Sequence, residues 1–86
     1  MQADNLRIDG DRLLARLAEL AAIGATDEGG CCRLALTDED RAGRDLVRRW
    51  MRELGLEVRV DPIGNVFGTR AGTEHLSPVM TGSHID

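Results

Sequence analysis

Two stretches of the chain repeat apolar side chains with the period of an amphipathic helix. In the first stretch, leucines recur with the spacing i, i+4, i+7, at Leu13, Leu17 and Leu20. Asp9 stands before this stretch as an N-cap, and Gly24 after it can adopt the left-handed conformation that closes a helix. We therefore predict a first helix over residues 10–22, with one broad apolar face.

The second helical pattern begins after Thr37, which suits the N-cap position, with Asp40 three residues later in a weak capping box. Acidic side chains at 38–40 lie at the positive end of the helix dipole, and this explains their clustering without a metal ion. The apolar face comprises Ala42, Leu46, Val47, Trp50, Met51 and Leu54. Gly55 ends the helix, and Gly43 inside it costs about 1 kcal/mol relative to Ala, which indicates close packing there.

Strict alternation of apolar and polar side chains follows over residues 56–61 and predicts a half-buried strand. A turn signal at 61–64 predicts a hairpin, with residues 65–70 as the partner strand. A polar loop over 71–77 contains His75, which we expect to be solvated. The apolar run 78–81 then predicts a third, buried strand that leads to His84.

The order helix, helix, hairpin, strand indicates an α/β architecture, with residues 1–86 forming one unit. In open α/β sheets, sites form at the carboxyl ends of strands, and the segment after the third strand would lie in such a place. A chain of 86 residues buries only about 60–65% of its unfolded surface, so we expect a marginal core.

Charge and composition exclude several classes of partner. The net charge of −4 argues against nucleic acid and anionic membranes as partners. No apolar run approaches the length of about 18 residues that a transmembrane helix needs. The first residues lack a secretory signal, so we expect a cytoplasmic protein. Cys31 and Cys32 are neighbours that rarely pair, and we interpret them as free thiols, with a metal or redox role as the alternative.

The last six residues, 81–86, contain the strongest candidate chemistry, a histidine and an aspartate two positions apart. In an extended segment these side chains point to the same side, so Asp86 could bind a metal itself or hold His84 in the tautomer that binds one. The alternative is a buried histidine that donates to a nearby carbonyl. A catalytic metal needs about three protein ligands, so most of the site would come from residues not present here. Arg33 could hold a substrate carboxylate or phosphate, or be structural.

Several motifs together resemble one family. They are the segments 33–45, 50–51 and 54–56, the turn Asp-Pro-Ile-Gly-Asn-Val-Phe-Gly at 61–68, the Thr-Gly-Ser-His-Ile-Asp at 81–86, and the opening segment 12–24. These residues look like the N-terminal part of the hydantoinase/carbamoylase family of amidases, within the M20 metallopeptidase superfamily. The resemblance covers nearly all of the chain but only the beginning of a family member.

The resemblance implies an enzyme that hydrolyses the carbamoyl C–N bond of N-carbamoyl-L-amino acids, or of ureido compounds such as allantoate. Two divalent metals are implied, typically zinc, manganese, cobalt or nickel. His84 takes the place of a metal ligand, and Asp86 takes the catalytic role of orienting that histidine. The other ligands, the general base and a dimerisation domain lie downstream in the family, whose members are expected to be homodimers.

Two alternatives remain open at this point. Another enzyme of the superfamily, such as an aminoacylase, deacetylase or dipeptidase, shares the His-x-Asp motif. The second alternative is a truncated, non-catalytic fragment. We expect the 86-residue chain by itself to bind zinc weakly and to hydrolyse nothing.

Overall fold

The computed structural model describes residues 5–86 and contains two helices and one small sheet. The elements follow in the order α1 (Gly10–Ala22), α2 (Asp38–Glu53), β1 (Glu57–Val60) and β2 (Val66–Thr69). The predicted order of helix, helix and hairpin is confirmed, and the architecture is α/β. Within the described residues, no helix has both the length and the apolar character needed to cross a membrane.

Both helices begin at the predicted N-caps. Asp9 Oδ1 accepts a hydrogen bond from the backbone N–H of Arg12 at 3.0 Å, and Thr37 Oγ1 accepts one from the N–H of Asp40 at 3.2 Å. Each bond satisfies a backbone donor that the first turn of a helix leaves free. The capping box differs from the expected form, because the Asp40 carboxylate accepts from the N–H of Leu36 at 3.1 Å and not from the N-cap residue.

The two strands form the predicted antiparallel hairpin. Glu57 pairs with Thr69 at its open end, and Val60 pairs with Val66 beside the turn. The turn is attached to α2 as well, since Arg44 Nη1 donates to the carbonyl oxygen of Gly64 at 2.7 Å. The hairpin therefore has a fixed place against the second helix.

The core lies between α2 and the hairpin and is small. Leu46, with 5% of its surface exposed, is the one buried hydrophobic side chain within residues 5–86. On the hairpin side of this core, Met51 and Leu56 pack close to Gly68 of β2. A Cβ at Gly68 would lie 2.9 Å from Met51 Sδ and 2.9 Å from Leu56 Cδ1. The absence of a side chain at this position lets the helix approach the sheet.

The apolar face predicted for α1 exists but is largely uncovered. Leu13, Leu14 and Leu17 keep 49%, 66% and 55% of their surface exposed. Between α1 and α2, the guanidinium of half-buried Arg16 lies 5.5 Å from the centre of the half-buried Trp50 ring. On the surface, Arg49 Nη2 lies 3.4 Å from Glu19 Oε1. Exposed ion pairs of this kind contribute little stability.

The predicted third strand is wrong. Residues 78–81 form no strand within the described part of the chain, and they are not buried. Val79 is fully exposed and Met80 keeps 81% of its surface exposed. A strand is held by backbone hydrogen bonds to a neighbour, and the sheet described here consists of β1 and β2 alone. A short apolar run without such a neighbour stays irregular.

Candidate functional site

His84 and Asp86 meet as the extended geometry predicts. The Nδ1 atom of His84 lies 2.8 Å from Oδ1 of Asp86. A carboxylate can only accept hydrogen bonds, so Nδ1 carries the proton and donates a hydrogen bond to Asp86. In the neutral ring this tautomer leaves a lone pair on Nε2, which is the form of histidine that coordinates a metal.

The pair lies on the surface of the described chain. The His84 side chain is 79% exposed and that of Asp86 is 63% exposed. Within residues 5–86 this arrangement differs from the alternative of a buried histidine that donates to a backbone carbonyl. Exposure leaves Nε2 accessible to a ligand from outside the described residues.

Arg33 anchors the backbone between these two side chains. Its Nε donates to the carbonyl oxygen of Ile85 at 2.7 Å, and its Nη1 donates to the carbonyl oxygens of Leu20 at 2.7 Å and Ile23 at 2.8 Å. The guanidinium thereby joins the end of α1 to the His84-x-Asp86 segment. The structural interpretation of Arg33 is the one that these contacts support, since two of its nitrogens are already occupied by backbone carbonyls.

The loop before Arg33 is closed by backbone hydrogen bonds. The N–H of Cys32 donates to the carbonyl of Gly24 at 2.7 Å, and the N–H of Thr26 donates to the carbonyl of Gly30 at 3.0 Å. Gly24 makes this closure possible with a φ of 81°, a left-handed backbone that favours glycine. Both Cys31 and Cys32 are free and exposed, as expected for unpaired thiols.

Gly43 of α2 packs against this anchor. A Cβ on Gly43 would lie 3.2 Å from Arg33 Cδ, 3.3 Å from Ile85 Cδ1 and 3.6 Å from Leu20 Cδ1. The close packing predicted at Gly43 is confirmed. It involves Arg33 and Ile85, the same two residues that the hydrogen bond joins. Sequence reasoning missed the role of Ile85, for which the unusual glycine inside a helix was an indirect signal.

One donor of a metal site and the residue that orients it are present. His84 offers Nε2, and Asp86 supports the ring through Nδ1, which is the carboxylate–histidine arrangement typical of metal ligands. Within residues 5–86, however, no three side chains of His, Cys, Asp or Glu come together in a group able to hold an ion. The residues present fit one ligand of a metal centre and its orienting partner, while the remaining ligands would come from elsewhere.

Comparison with known proteins shows which proteins this chain is similar to. No protein-family model matches the chain. A solved hydantoinase/carbamoylase family amidase from Burkholderia ambifaria is 54% identical and superimposes with a TM-score of 0.90, covering 94% of this chain and 20% of that one. The chain is thus related to the hydantoinase/carbamoylase family of amidases, as its motifs predict.

Curated relatives narrow the comparison further. An N-carbamoyl-L-amino acid amidohydrolase from Geobacillus stearothermophilus is 45% identical over 80 residues, covering 92% of this chain and 20% of the relative. An allantoate amidohydrolase from Bacillus subtilis is 46% identical over 68 residues, covering 78% of this chain and 16% of the relative. The chain therefore spans about a fifth of the length of the relatives that it matches.

Proposed function

We propose that residues 1–86 contribute the N-terminal part of the catalytic domain of a metal-dependent amidohydrolase. Its reaction is hydrolysis of the carbamoyl C–N bond of an N-carbamoyl-L-amino acid or of an allantoate-like ureido compound. The observation that carries this proposal is the 45% identity to an N-carbamoyl-L-amino acid amidohydrolase over nearly the whole chain. Family resemblance extends the proposal to two divalent cations, with zinc, manganese, cobalt and nickel as candidates.

In this proposal His84 is a metal ligand through Nε2. The hydrogen bond from Nδ1 to Asp86 Oδ1, 2.8 Å long, keeps the proton on Nδ1 and the lone pair on Nε2. Asp86 also limits rotation of the ring, so the lone pair keeps one direction. Divalent cations in such sites lower the pKa of water and polarise the carbonyl under attack, and a ureido carbonyl needs this help because its nitrogens donate electron density into it.

The proposal is tested in a chimera, because the chain spans 20% of the relative's length. In the chimera, residues 1–86 replace the matching segment of the Geobacillus stearothermophilus enzyme. We expect it to release ammonia from N-carbamoyl-L-amino acids or allantoate and to contain bound metal. His84→Ala should remove metal from one site and reduce turnover by orders of magnitude, whereas Asp86→Ala should cost about 10–100-fold.

His75→Ala is the matched control, since His75 is an exposed loop histidine; it should leave both readouts unchanged. A chimera that retains full metal content and turnover with alanine at position 84 would contradict the assignment. Preference for N-acetyl over N-carbamoyl amino acids would favour an aminoacylase-type relative instead. The 86-residue chain by itself should show weak zinc binding and no turnover by calorimetry.

A further inference from the structure

We infer that Arg33 is a positioning residue for the His84–Asp86 pair, acting through the backbone carbonyl of Ile85. The inference rests on the proposed function, in which that pair serves the metal site. Arg33 lies 52 positions before Ile85 in the sequence, and its Nε donates to the Ile85 carbonyl at 2.7 Å. It is a contact between distant parts of the chain, at the residue that separates the two functional side chains.

Two hydrogen bonds fix the position of the Arg33 guanidinium independently of Ile85. Its Nη1 donates to the carbonyls of Leu20 at 2.7 Å and Ile23 at 2.8 Å, at the carboxyl end of α1. Carbonyls at this end of a helix lack the usual N–H four residues later, although that of Leu20 also accepts from the N–H of Ile23 at 3.1 Å. The helix dipole favours a cation there. Because the guanidinium is planar and rigid, fixing Nη1 on these carbonyls also fixes the direction in which Nε donates.

Ile85 is held at two points. Its carbonyl accepts from Arg33, and its side chain is half-buried against α2, where Cδ1 would come within 3.3 Å of a Cβ at Gly43. The side chains of His84 and Asp86 are mostly exposed, and within residues 5–86 they hydrogen-bond to each other. Their common orientation relative to the rest of the chain is therefore transmitted by the backbone at Ile85, which makes the Arg33 bond the main polar restraint on the pair.

The first test is Arg33→Lys in the 86-residue chain, read by backbone ¹⁵N relaxation. Lysine keeps the charge but has a single compact ammonium, which cannot reach the Ile85 carbonyl and the two helix carbonyls in the same fork geometry. We expect the order parameter of Ile85 to fall from the rigid range near 0.85 to below about 0.6. Equal values at residues 84–86 in the two proteins would overturn the inference.

Arg44→Lys is the matched control. Arg44 also donates from Nη1 to a backbone carbonyl at 2.7 Å, that of Gly64, and so loses the same kind of bond at the hairpin turn. This variant should leave the order parameters at residues 84–86 unchanged. A fall there equal to that of Arg33→Lys would mean a general loss of stability and would also overturn the inference.

A second variant keeps the inference testable if Arg33→Lys does not fold. Replacing the amide between Ile85 and Asp86 by an ester, through peptide ligation, weakens the Ile85 carbonyl as an acceptor and leaves the bonds of Arg33 to Leu20 and Ile23 intact. The inference predicts a loss of order at His84 and Ile85 with the end of α1 unaffected. Unchanged order at both residues would show that Arg33 serves the helix end alone.

Metal binding in the chimera supplies a readout that a purely structural role would not move. Arg33→Lys should weaken zinc affinity about tenfold, in the range typical of residues that orient a ligand, while Arg44→Lys leaves it unchanged. Equal affinities in the two variants would count against positioning. Failure of the proposed function is recognised separately, because His84→Ala would then leave metal content unchanged, whereas the relaxation data report on Arg33 without any metal.

Discussion

Replacing Gly24 by alanine should destabilise the chain more than the same change at a glycine with a left-handed backbone but no atoms near the position of its Cβ. The backbone φ at Gly24 is 81°, and a Cβ would lie 2.4 Å from the carbonyl oxygen of Cys32 and 2.9 Å from Arg33 Cγ. The left-handed conformation alone costs a non-glycine residue about 1–2 kcal/mol. Crowding against a backbone atom adds about 1–3 kcal/mol, because the loop must move. We therefore expect Gly24→Ala to lower the free energy of unfolding by about 2–5 kcal/mol.

Gly55→Ala separates the two contributions. Gly55 follows α2 as Gly24 follows α1, its φ is 78°, and no atom lies within 4 Å of the position of its Cβ. This variant should lose only the conformational part, about 1–2 kcal/mol. Urea unfolding followed by Trp50 fluorescence measures both, with trimethylamine N-oxide added to strengthen burial and define the folded baseline. Equal losses at Gly24 and Gly55 would refute the close approach of residues 24 and 32, and with it the placement of Arg33.

Two further predictions concern the hairpin. Hydrogen bonds to the Asp61 carboxylate, chiefly from the Asn65 side chain, lower its pKa below the ordinary value despite an opposing effect of desolvation. The stability that this carboxylate contributes is therefore complete above its unfolded pKa of about 3.9, and it is lost as the pH falls through the lower folded pKa. Asp61→Asn should therefore reduce the urea midpoint at pH 7, and the reduction should shrink in acid. Asp27→Asn is the control. A difference between Asp61→Asn and the unmodified chain that stays constant with pH would contradict this prediction. Gly68→Ala should lower the free energy of unfolding by about 1–3 kcal/mol, because its Cβ would meet Met51 Sδ and Leu56 Cδ1 at 2.9 Å. The control Gly72→Ala, with no neighbour closer than 3.8 Å, should not destabilise the chain. Similar urea midpoints for these two variants would refute the packing of α2 on β2.

Local chemistry made the helices and the hairpin predictable. The caps at Asp9 and Thr37 depend on residues three positions away, and both form as expected. The turn at residues 61–64 likewise joins two strands through neighbours in sequence. The motif His84-x-Asp86 was found for the same reason, since an extended backbone by itself brings residues i and i+2 to one side.

Features that depend on distant parts of the chain escaped prediction. Residues 78–81 have the composition of a buried strand, but a strand exists only where another backbone pairs with it, and composition does not show that partner. The bond between Arg33 and Ile85 joins residues 52 positions apart, so no spacing rule reveals it. Gly43 alone gave an indication, because an interior helix glycine costs stability unless something packs against it.

The central claim is that His84 binds a divalent cation while Asp86 holds its ring. Anomalous diffraction from zinc-loaded crystals of the chimera tests this most directly. The account predicts an anomalous peak about 2.0–2.1 Å from His84 Nε2, the usual zinc–nitrogen distance, with Asp86 hydrogen-bonded to Nδ1. A fully loaded crystal in which neither ring nitrogen of His84 contacts a cation would contradict it.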